Sequence, residues 1–498
     1  MIAAPQGRSV LWVILLGIIL GLAFMMITQL RTRWFLFIFA SGLMIPVVLA
    51  LQDRRRFLLA FLVAATPINL SKTFMFTPSD IFRTVFGFSI YLSYLPILGL
   101  YFIWIYRWIF WHQRLRISKV GLYPLLGLFA VSALSVLVAG NRLFAAFDLF
   151  ALAFMGITFI YISSDLREER DLRMVLVVLI VTGLVQAVIA IGQGVTGSSL
   201  GLEIFGARKF ITGFVGLETL SRVTGTLGHP SSMAEYFDLV IPVSFAMLFY
   251  PMAKPLKVLL GLTVFFQIIG QGMSYSRGGI FWTMVALGVI FLLQICRRMG
   301  VMRGAFLATA LASLAVILLL TVPNPLQKGL FRTEAATAYG RLPLMQVAKN
   351  VIWHHPFLGV GLNNYVQAAR KYDYTPEQLT TGWNTAVHNV YLFIAGEVGL
   401  IGLIFFVWLL IKVLWHLWPA LRSPDPLIGN FGLGIMSGLL ALMLHWMTDL
   451  GSWPNINWFW FMLGLAVAVG NFAAKQAAES TPVGQTEATA QANLGAER

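Results

Sequence analysis

The sequence predicts an all-α, polytopic transmembrane helical bundle of about 12–14 helices carrying one large periplasmic loop domain. Three observations lead there. Apolar residues make up 58% of the 498 residues, charged residues only 11%, and mean hydropathy is +0.81, whereas soluble domains hold about 25% charged residues. Apolar runs of near-spanning length recur through most of the chain. Between Thr321 and Gly399 a single long excursion of mixed polar sequence interrupts them, from Thr321-Val-Pro-Asn-Pro325 to Ala386-Val-His-Asn-Val-Tyr-Leu392.

A helix needs roughly 20 apolar residues to cross about 30 Å of hydrocarbon. Runs approach that length near 11–30, 34–51, 57–70, 86–106, 120–140, 143–163, 174–195, 236–250, 257–273, 278–296, 304–322, 389–413, 427–447 and 455–472. Those at 57–70 and 236–250 are short and read as tilted, re-entrant or broken. The first run follows a lone Arg8 and meets no small-residue cleavage pattern, so it reads as a membrane helix and not a secretory signal. The chain then divides into N-terminal helices (1–195), a central region (196–405) that includes the loop 323–388, C-terminal helices (406–472), and a tail (473–498) of Ala, Glu, Gln, Thr and Gly expected to be disordered and cytoplasmic.

Charge supplies an orientation. The 35 Lys+Arg against 20 Asp+Glu give a net +15. In a membrane protein this balance reflects basic residues retained in cytoplasmic loops, and it does not point to nucleic acid. With a cytoplasmic N-terminus, Arg54–Arg56, Arg107, Arg114, Arg116, Lys119, Arg167, Arg170, Arg173, Lys254, Lys257, Arg297, Arg298, Arg303, Lys412 and Arg422 fall inside. Arg31 and Arg33 are the exception. Arg222, Arg277 and the 323–388 loop then fall outside. The lone Cys296 excludes an internal disulfide and a cysteine-based metal site.

Ionisable groups at membrane depth are costly, so each needs a reason. Arg277, in Ser274-Tyr-Ser-Arg-Gly-Gly279 between two apolar runs, either snorkels to the interface or binds an anion at the mouth of the bundle. Arg222, among Ser221, Thr224 and Thr226, invites the same anion-binding reading or is an ordinary loop cation, and its glycine-, serine- and threonine-rich segment reads as an irregular loop dipping onto the bundle. His388 stands where the large loop re-enters the membrane and suits proton acceptance from a hydroxyl, or simply helix capping. His445, with Asp449 one turn on, is a second candidate, and His229 could assist Arg222. His354 and His355 lack a third ligand at metal spacing, and the acids Glu235, Asp238, Glu334, Asp373, Glu377, Glu397 and Asp449 form no metal-binding pair. No resident metal or cofactor is therefore expected. Leu344, Val347, Ala348 and Val351 recur at helical spacing and predict an amphipathic helix, and 363–372 predicts a short one.

The ordered set Arg222-Val-Thr-Gly-Thr-Leu-Gly-His-Pro-Ser231, Ser274-Tyr-Ser-Arg-Gly-Gly279, Gly340-Arg341, His355-Pro-Phe-Leu-Gly-Val-Gly-Leu-Asn-Asn-Tyr365 and His388-Asn-Val-Tyr-Leu392 with Glu397-Val-Gly-Leu-Ile-Gly402 resembles the O-antigen ligase / O-antigen polymerase superfamily over about residues 210–405. The resemblance implies a GT-C-like membrane glycosyltransferase of the bacterial inner membrane, acting on its periplasmic side in lipopolysaccharide or exopolysaccharide biosynthesis. Its donor would be a glycan on undecaprenyl diphosphate, its acceptor a glycan or glycolipid hydroxyl, and its state a monomer or loose oligomer in the bilayer. By the same resemblance Arg222 and Arg277 hold the donor diphosphate, Arg341 contacts diphosphate or sugar, and His388 is the general base of a metal-independent, inverting transfer. Ligase and polymerase stay open as alternatives, as does a bicarbonate or other anion transporter using the same arginines.

Overall fold

The structure, a computed structural model, describes residues 50–80, 83–208, 210–215, 218–299, 334–382, 386–451, 453 and 456–480. The expected runs at 11–30, 304–322 and most of 34–51, and the tail beyond residue 480, lie outside the described residues. The described chain runs α1 (Arg54–Ala65), β1 (Ser71–Phe74), β2 (Phe88–Tyr91), α2 (Tyr94–Phe110), α3 (Leu122–Val138), α4 (Arg142–Asp165), α5 (Glu169–Thr196), β3 (Phe210–Val215), β4 (Glu218–Arg222) and α6 (Pro230–Ala246). It continues α7 (Lys254–Gly272), α8 (Arg277–Met299), α9 (Glu334–His354), α10 (Tyr365–Ala369), α11 (Leu379–Gly382), α12 (Val390–Leu417), α13 (Pro426–His445) and α14 (Asn457–Ser480). Among the described residues, eight helices are long and apolar enough to cross a membrane: α4 to α8 and α12 to α14.

Local chemistry sets the helix starts. Side chains of Asn141, Asn389 and Asp425 accept N–H bonds from the first turns of α4, α12 and α13, and Pro230, Pro255 and Pro426 occupy first-turn positions where a missing N–H costs nothing. At the centre α6, α13 and α14 are almost wholly enclosed, whereas α7 and α8 expose two thirds of their spanning windows. Glycine lets α13 lie directly on α6. A Cβ at Gly434 would sit 2.6 Å from the Val243 backbone, and one at Gly438 would sit 3.0 Å from that of Asp238.

Two separate sets of polar contacts hold the helix ends. At one end Arg55 pairs with Asp165 at 2.7 Å and Asp171 at 2.6 Å, Arg56 joins Asp171 and Glu168, Arg167 donates to the Arg116 carbonyl, and Arg297 donates to the Leu421 carbonyl. At the other end meet Asn69, Arg83, Asn141, Arg222 and Asn389 with their partners.

The helical-bundle reading holds, with two short antiparallel hairpins, β1–β2 and β3–β4, added to it. Some element bounds differ from those expected. The run at 57–70 yields only the 12-residue α1, which stops before Pro67, and the run at 86–106 begins as strand β2. The run at 236–250, read as short, is the end of a helix begun at Pro230, its first turns hidden in the sequence by Ser231, Ser232 and Glu235. Helix α14 continues to Ser480, past the expected start of the tail at 473.

The segment after β4 does dip into the bundle. Val223 to Gly228 are buried, and two glutamines on α5 satisfy their backbone. Gln193 Oε1 accepts from the N–H groups of Thr224 and Gly225, and Gln186 Oε1 accepts from that of Thr226. Irregular backbone inside an apolar bundle persists only when its polar groups are paired.

The amphipathic helix is present as α9, with Leu344, Val347, Ala348 and Val351 all buried, and the short helix appears as α10. The loop that follows α9 plugs into a break in α12. At Gly399 the backbone turns to φ 75°, and Val360 and Gly361 donate at 2.9 Å to the carbonyls of Gly396 and Glu397. Arg83 locks the same loop from the other side, stacked 4.3 Å over Phe144 and bonded to the Asn363 carbonyl and Gln367. A Cβ at Gly399 would lie 2.1 Å from the Phe357 carbonyl oxygen. The variant Gly399→Ala is therefore expected to lower the thermal midpoint of purified protein by several degrees, at a cost above ~1 kcal/mol. An unchanged midpoint would mean that the break does not hold the loop.

Candidate functional site

Arg222 is the last residue of β4, and its position is fixed from two sides. Its backbone partner across the hairpin is Phe210, and its Nε–H donates to the Ser274 carbonyl at 2.7 Å. The Val223 N–H reaches the Met273 carbonyl at 3.4 Å. The hairpin is thereby tied to the turn between α7 and α8, the turn that delivers Arg277. Ser274 Oγ donates back to Gln271 and accepts from the Ser276 N–H, which closes the turn before α8 begins. The next two residues, Gly278 and Gly279, allow α8 to touch α13. A Cβ at Gly278 would stand 2.8 Å from the His445 ring, and one at Gly279 would stand 2.9 Å from Ala234.

His388 precedes the N-cap of α12. Asn389 donates to the Met447 carbonyl at 3.0 Å and the Val390 N–H to the Trp446 carbonyl at 3.0 Å, so the loop re-entering the bundle is bound to the turn that ends α13. This brings His388 Nδ1 to 3.6 Å from Asp449 Oδ1, beyond hydrogen-bond length but within strong electrostatic reach. Behind Asp449 lies His445, its Nε2 3.4 Å from Asp449 Oδ2 and 3.3 Å from Ser276 Oγ, its Nδ1 2.7 Å from Asp238 Oδ2. Asp238 Oδ1 in turn accepts from Thr283 at 2.7 Å and Gln271 at 2.9 Å. The chain of contacts His388, Asp449, His445, Asp238 thus runs from the rim into the closed interior, where His445 is 1% exposed.

The charges converge as the contacts do. Burial works to raise the Asp449 carboxyl, but attraction to His388 and His445 outweighs it and holds the group well below the ordinary carboxylate range. Burial lowers the Arg222 guanidinium, and Asp449 pulls it back up; an arginine stays protonated regardless. His229, whose Nδ1 accepts from the Ser231 N–H and must be unprotonated to do so, lies in the combined field of Asp449, Arg222, Arg208 and His388. A cavity of about 430 Å³ opens beside this group, lined by Asn69, Ser71, Glu203 and Arg208 with Ile204, Gly206 and Ala207. Its wall joins the site through Arg208, whose backbone exchanges hydrogen bonds with Thr224 Oγ1.

Of the residues picked out in the sequence, Arg222 and His388 share the neighbourhood of Asp449, and Arg277 opens the helix whose first turn abuts His445. Arg341 is exposed on α9, and no described contact links it to the other three. His354 is also exposed, and His355 bonds to the Tyr372 hydroxyl at 2.7 Å, so both belong to the packing of the loop. Among the described residues no group of three or more His, Cys, Asp or Glu is placed to hold a metal ion. In the sequence Asp238 reads only as an isolated acid and Ser276 as part of a motif, and neither these nor Gln271 is given a partner. The available signal was Asp238 itself, a carboxylate inside an otherwise apolar run, which demands a buried partner.

The family model described as O-antigen ligase matches residues 262–407, a stretch from within α7 to within α12 that includes Arg277, Arg341 and His388. The match supports the O-antigen ligase/polymerase superfamily and, in general terms, its function. No curated protein matches the chain.

Substituting Gly279→Val would drive a branched side chain between Ala234 and His445. Overpacking of this kind costs about 1–3 kcal/mol, so the thermal midpoint should fall. A midpoint equal to that of the parent protein would show that α8 and α13 do not need this close approach.

Proposed function

We propose that the protein is an O-antigen ligase-like glycosyltransferase that moves a glycan from undecaprenyl diphosphate to an acceptor hydroxyl, without metal, at the extracytoplasmic side of a bacterial inner membrane. The observation that carries this reading is the convergence of Arg222, His388 and the Arg277 turn around Asp449, although their chain positions are far apart. The sidedness is supported by the separation of this group from the arginine-rich end of the bundle.

Each residue then has a defined task. The Nε–H of Arg222 is occupied by the Ser274 carbonyl, which fixes the guanidinium plane and leaves its Nη groups to donate to a phosphate oxygen. Arg277, at the start of α8, offers a second guanidinium beside the helix N-terminus, where anions are favoured. Together they stabilise the diphosphate as negative charge builds on it, the work that a bound divalent cation does in other phosphate-leaving reactions. His388 turns Nδ1 toward Asp449, which leaves Nε2, on a side chain one third exposed, to take the proton of the acceptor hydroxyl. The acceptor oxygen bonds to the anomeric carbon as the bond from that carbon to the phosphate oxygen breaks. The electron pair leaves with the diphosphate, the proton resides on His388, and a single displacement inverts the anomeric centre. The polar cavity beside Arg208 suits sugar hydroxyls of the acceptor or donor glycan. Lipid A-core and a second lipid-linked glycan both present such hydroxyls, so ligation and polymerisation use the same machinery.

Purified protein, a lipid-diphosphate glycan and candidate acceptors test this directly. His388→Ala should reduce turnover by at least about 10²-fold, the usual worth of a general base, with an unchanged thermal midpoint; full turnover would remove the base assignment. Arg277→Lys should also lose most activity, because an ammonium cannot reproduce a guanidinium's paired donors, whereas wild-type rates would assign Arg277 to interface anchoring. Turnover should persist in excess chelator, and a loss that magnesium restores would contradict the arginine-only account.

A further inference from the structure

The cavity of about 430 Å³ beside Arg208 takes its polar walls from three separate stretches of chain: Asn69 and Ser71 at the start of β1, Glu203 in the turn after α5, and Arg208 just before β3. All three are fastened to the segment that follows Arg222. The Asn69 N–H donates to the Thr226 carbonyl at 2.9 Å, Thr226 Oγ1 donates to the Pro67 carbonyl at 3.0 Å, and Thr224 Oγ1 holds the Arg208 backbone. Gly206 and Gly228, at φ 103° and 84°, both lie against Asn69, and a Cβ at Gly206 would stand 2.6 Å from Asn69 Cβ. Only glycine takes that backbone conformation at so close an approach. The hollow is therefore held open by fixed backbone on its inner side.

Its chemistry suits a sugar and not a second phosphate. Asn69 both donates and accepts, the Arg208 guanidinium donates, Ser71 does either, and Glu203 accepts. The Ser199 hydroxyl donates to Glu203 and lowers its carboxyl from the ordinary value, so the group is ionised at neutral pH and repels an anion. Vicinal sugar hydroxyls, each of which gives and takes a hydrogen bond, match such a mixed wall. The cavity also has a side. Its framework is the segment that begins at Arg222, whereas His388 is bound through Asn389 and Val390 to the turn after α13. His229, directly after Gly228, lies in the field of Arg208 as well as of Arg222, Asp449 and His388, so cavity and reaction centre are neighbours. In a single displacement the base and the phosphate-holding arginine flank opposite faces of the anomeric carbon, and the glycan must leave that centre sideways. We infer that the cavity is a saccharide subsite for the donor: the sugar joined to the diphosphate enters it and bonds to Asn69, Ser71, Glu203 and Arg208, while the acceptor approaches from the His388 side. Arginines that grip phosphate cannot tell one lipid diphosphate from another; this subsite does so by reading the glycan. Once the glycosidic bond to phosphate breaks, the lipid diphosphate keeps only its arginine contacts, which favours its release.

This inference rests on Arg222 holding the donor diphosphate, and its test separates the two claims. Full-length protein in lipid nanodiscs is titrated with undecaprenyl diphosphate alone and with the same lipid carrying one hexose or one N-acetylhexosamine. A sugar-bearing lipid should bind about tenfold more tightly than the bare one, the worth of one or two hydrogen bonds to charged groups. Glu203→Ala and Arg208→Ala, both at exposed positions, should each remove most of that difference and leave affinity for the bare lipid as in the parent protein. In turnover the same variants should raise KM for the donor and leave KM for the acceptor unchanged. Should either variant not fold, Ser71→Phe carries the test, since it fills the cavity from a strand position that tolerates an aromatic ring. Equal binding of bare and sugar-bearing lipids, or a difference that survives these substitutions, overturns the inference, and so does a rise in acceptor KM alone. Arg222→Ala should weaken both lipids alike. If bare-lipid binding ignores Arg222 while the sugar-dependent gain still requires Arg208, the diphosphate reading fails and the saccharide subsite stands.

Discussion

The carboxylate of Asp449 is the contact on which this end of the molecule depends. It faces His388 at the mouth of the large loop and His445 inside the bundle, and its charge reaches Arg222 at the end of a hairpin. An acid in such a position would ordinarily be expelled or neutralised by burial. Here burial works to raise the carboxyl, but His388, His445 and the Leu450 N–H outweigh it and hold the group well below the ordinary carboxylate range. Neighbouring backbone bonds, from Asn389 and Val390 to the turn after α13, fix the geometry before electrostatics refine it.

The scaffold follows from a similar need to satisfy polar groups in an apolar setting. The buried segment from Val223 to Gly228 is irregular, and it is stable because Gln186 and Gln193 on α5 complete its hydrogen bonds. The loop between α9 and α10 is likewise stable because the break at Gly399 frees two carbonyls that Val360 and Gly361 use. The first of these devices places backbone that is neither helix nor strand directly after the strand that ends in Arg222. The arrangement also explains why α6 and α13 pack so closely through glycine: the Asp238–His445 bond at 2.7 Å requires their axes to approach.

Much of this was legible in the chain, and the failures have physical causes. Apolar runs such as 143–163 and 174–195 announce their helices because composition alone distinguishes them, and the stripe Leu344, Val347, Ala348 and Val351 announces a surface helix because its period is helical. Helix α6 reads short in the sequence because Ser231, Ser232 and Glu235, in its first turns, look like solvent-facing residues. Arg222, Arg277 and His388 could be picked out by residue type and position. Spacing shows His445 and Asp449 as neighbours one turn apart, but nothing in it says that the histidine also reaches Asp238. The glutamines of α5 carried no signal, since an isolated Gln in an apolar run reads the same whether it faces lipid or a buried loop. Hairpins of four to six residues fell below the resolution of any pattern argument.

The central claim is that Arg222 and Arg277 grip one lipid-borne diphosphate within reach of His388. An experimental structure of the protein with a lipid-diphosphate glycan bound tests it most directly. The account predicts phosphate oxygens at about 2.7–2.9 Å from both guanidinium groups, with the anomeric carbon on the His388 side. A diphosphate bound elsewhere on the molecule, or held by one arginine with the other turned into lipid, would contradict it.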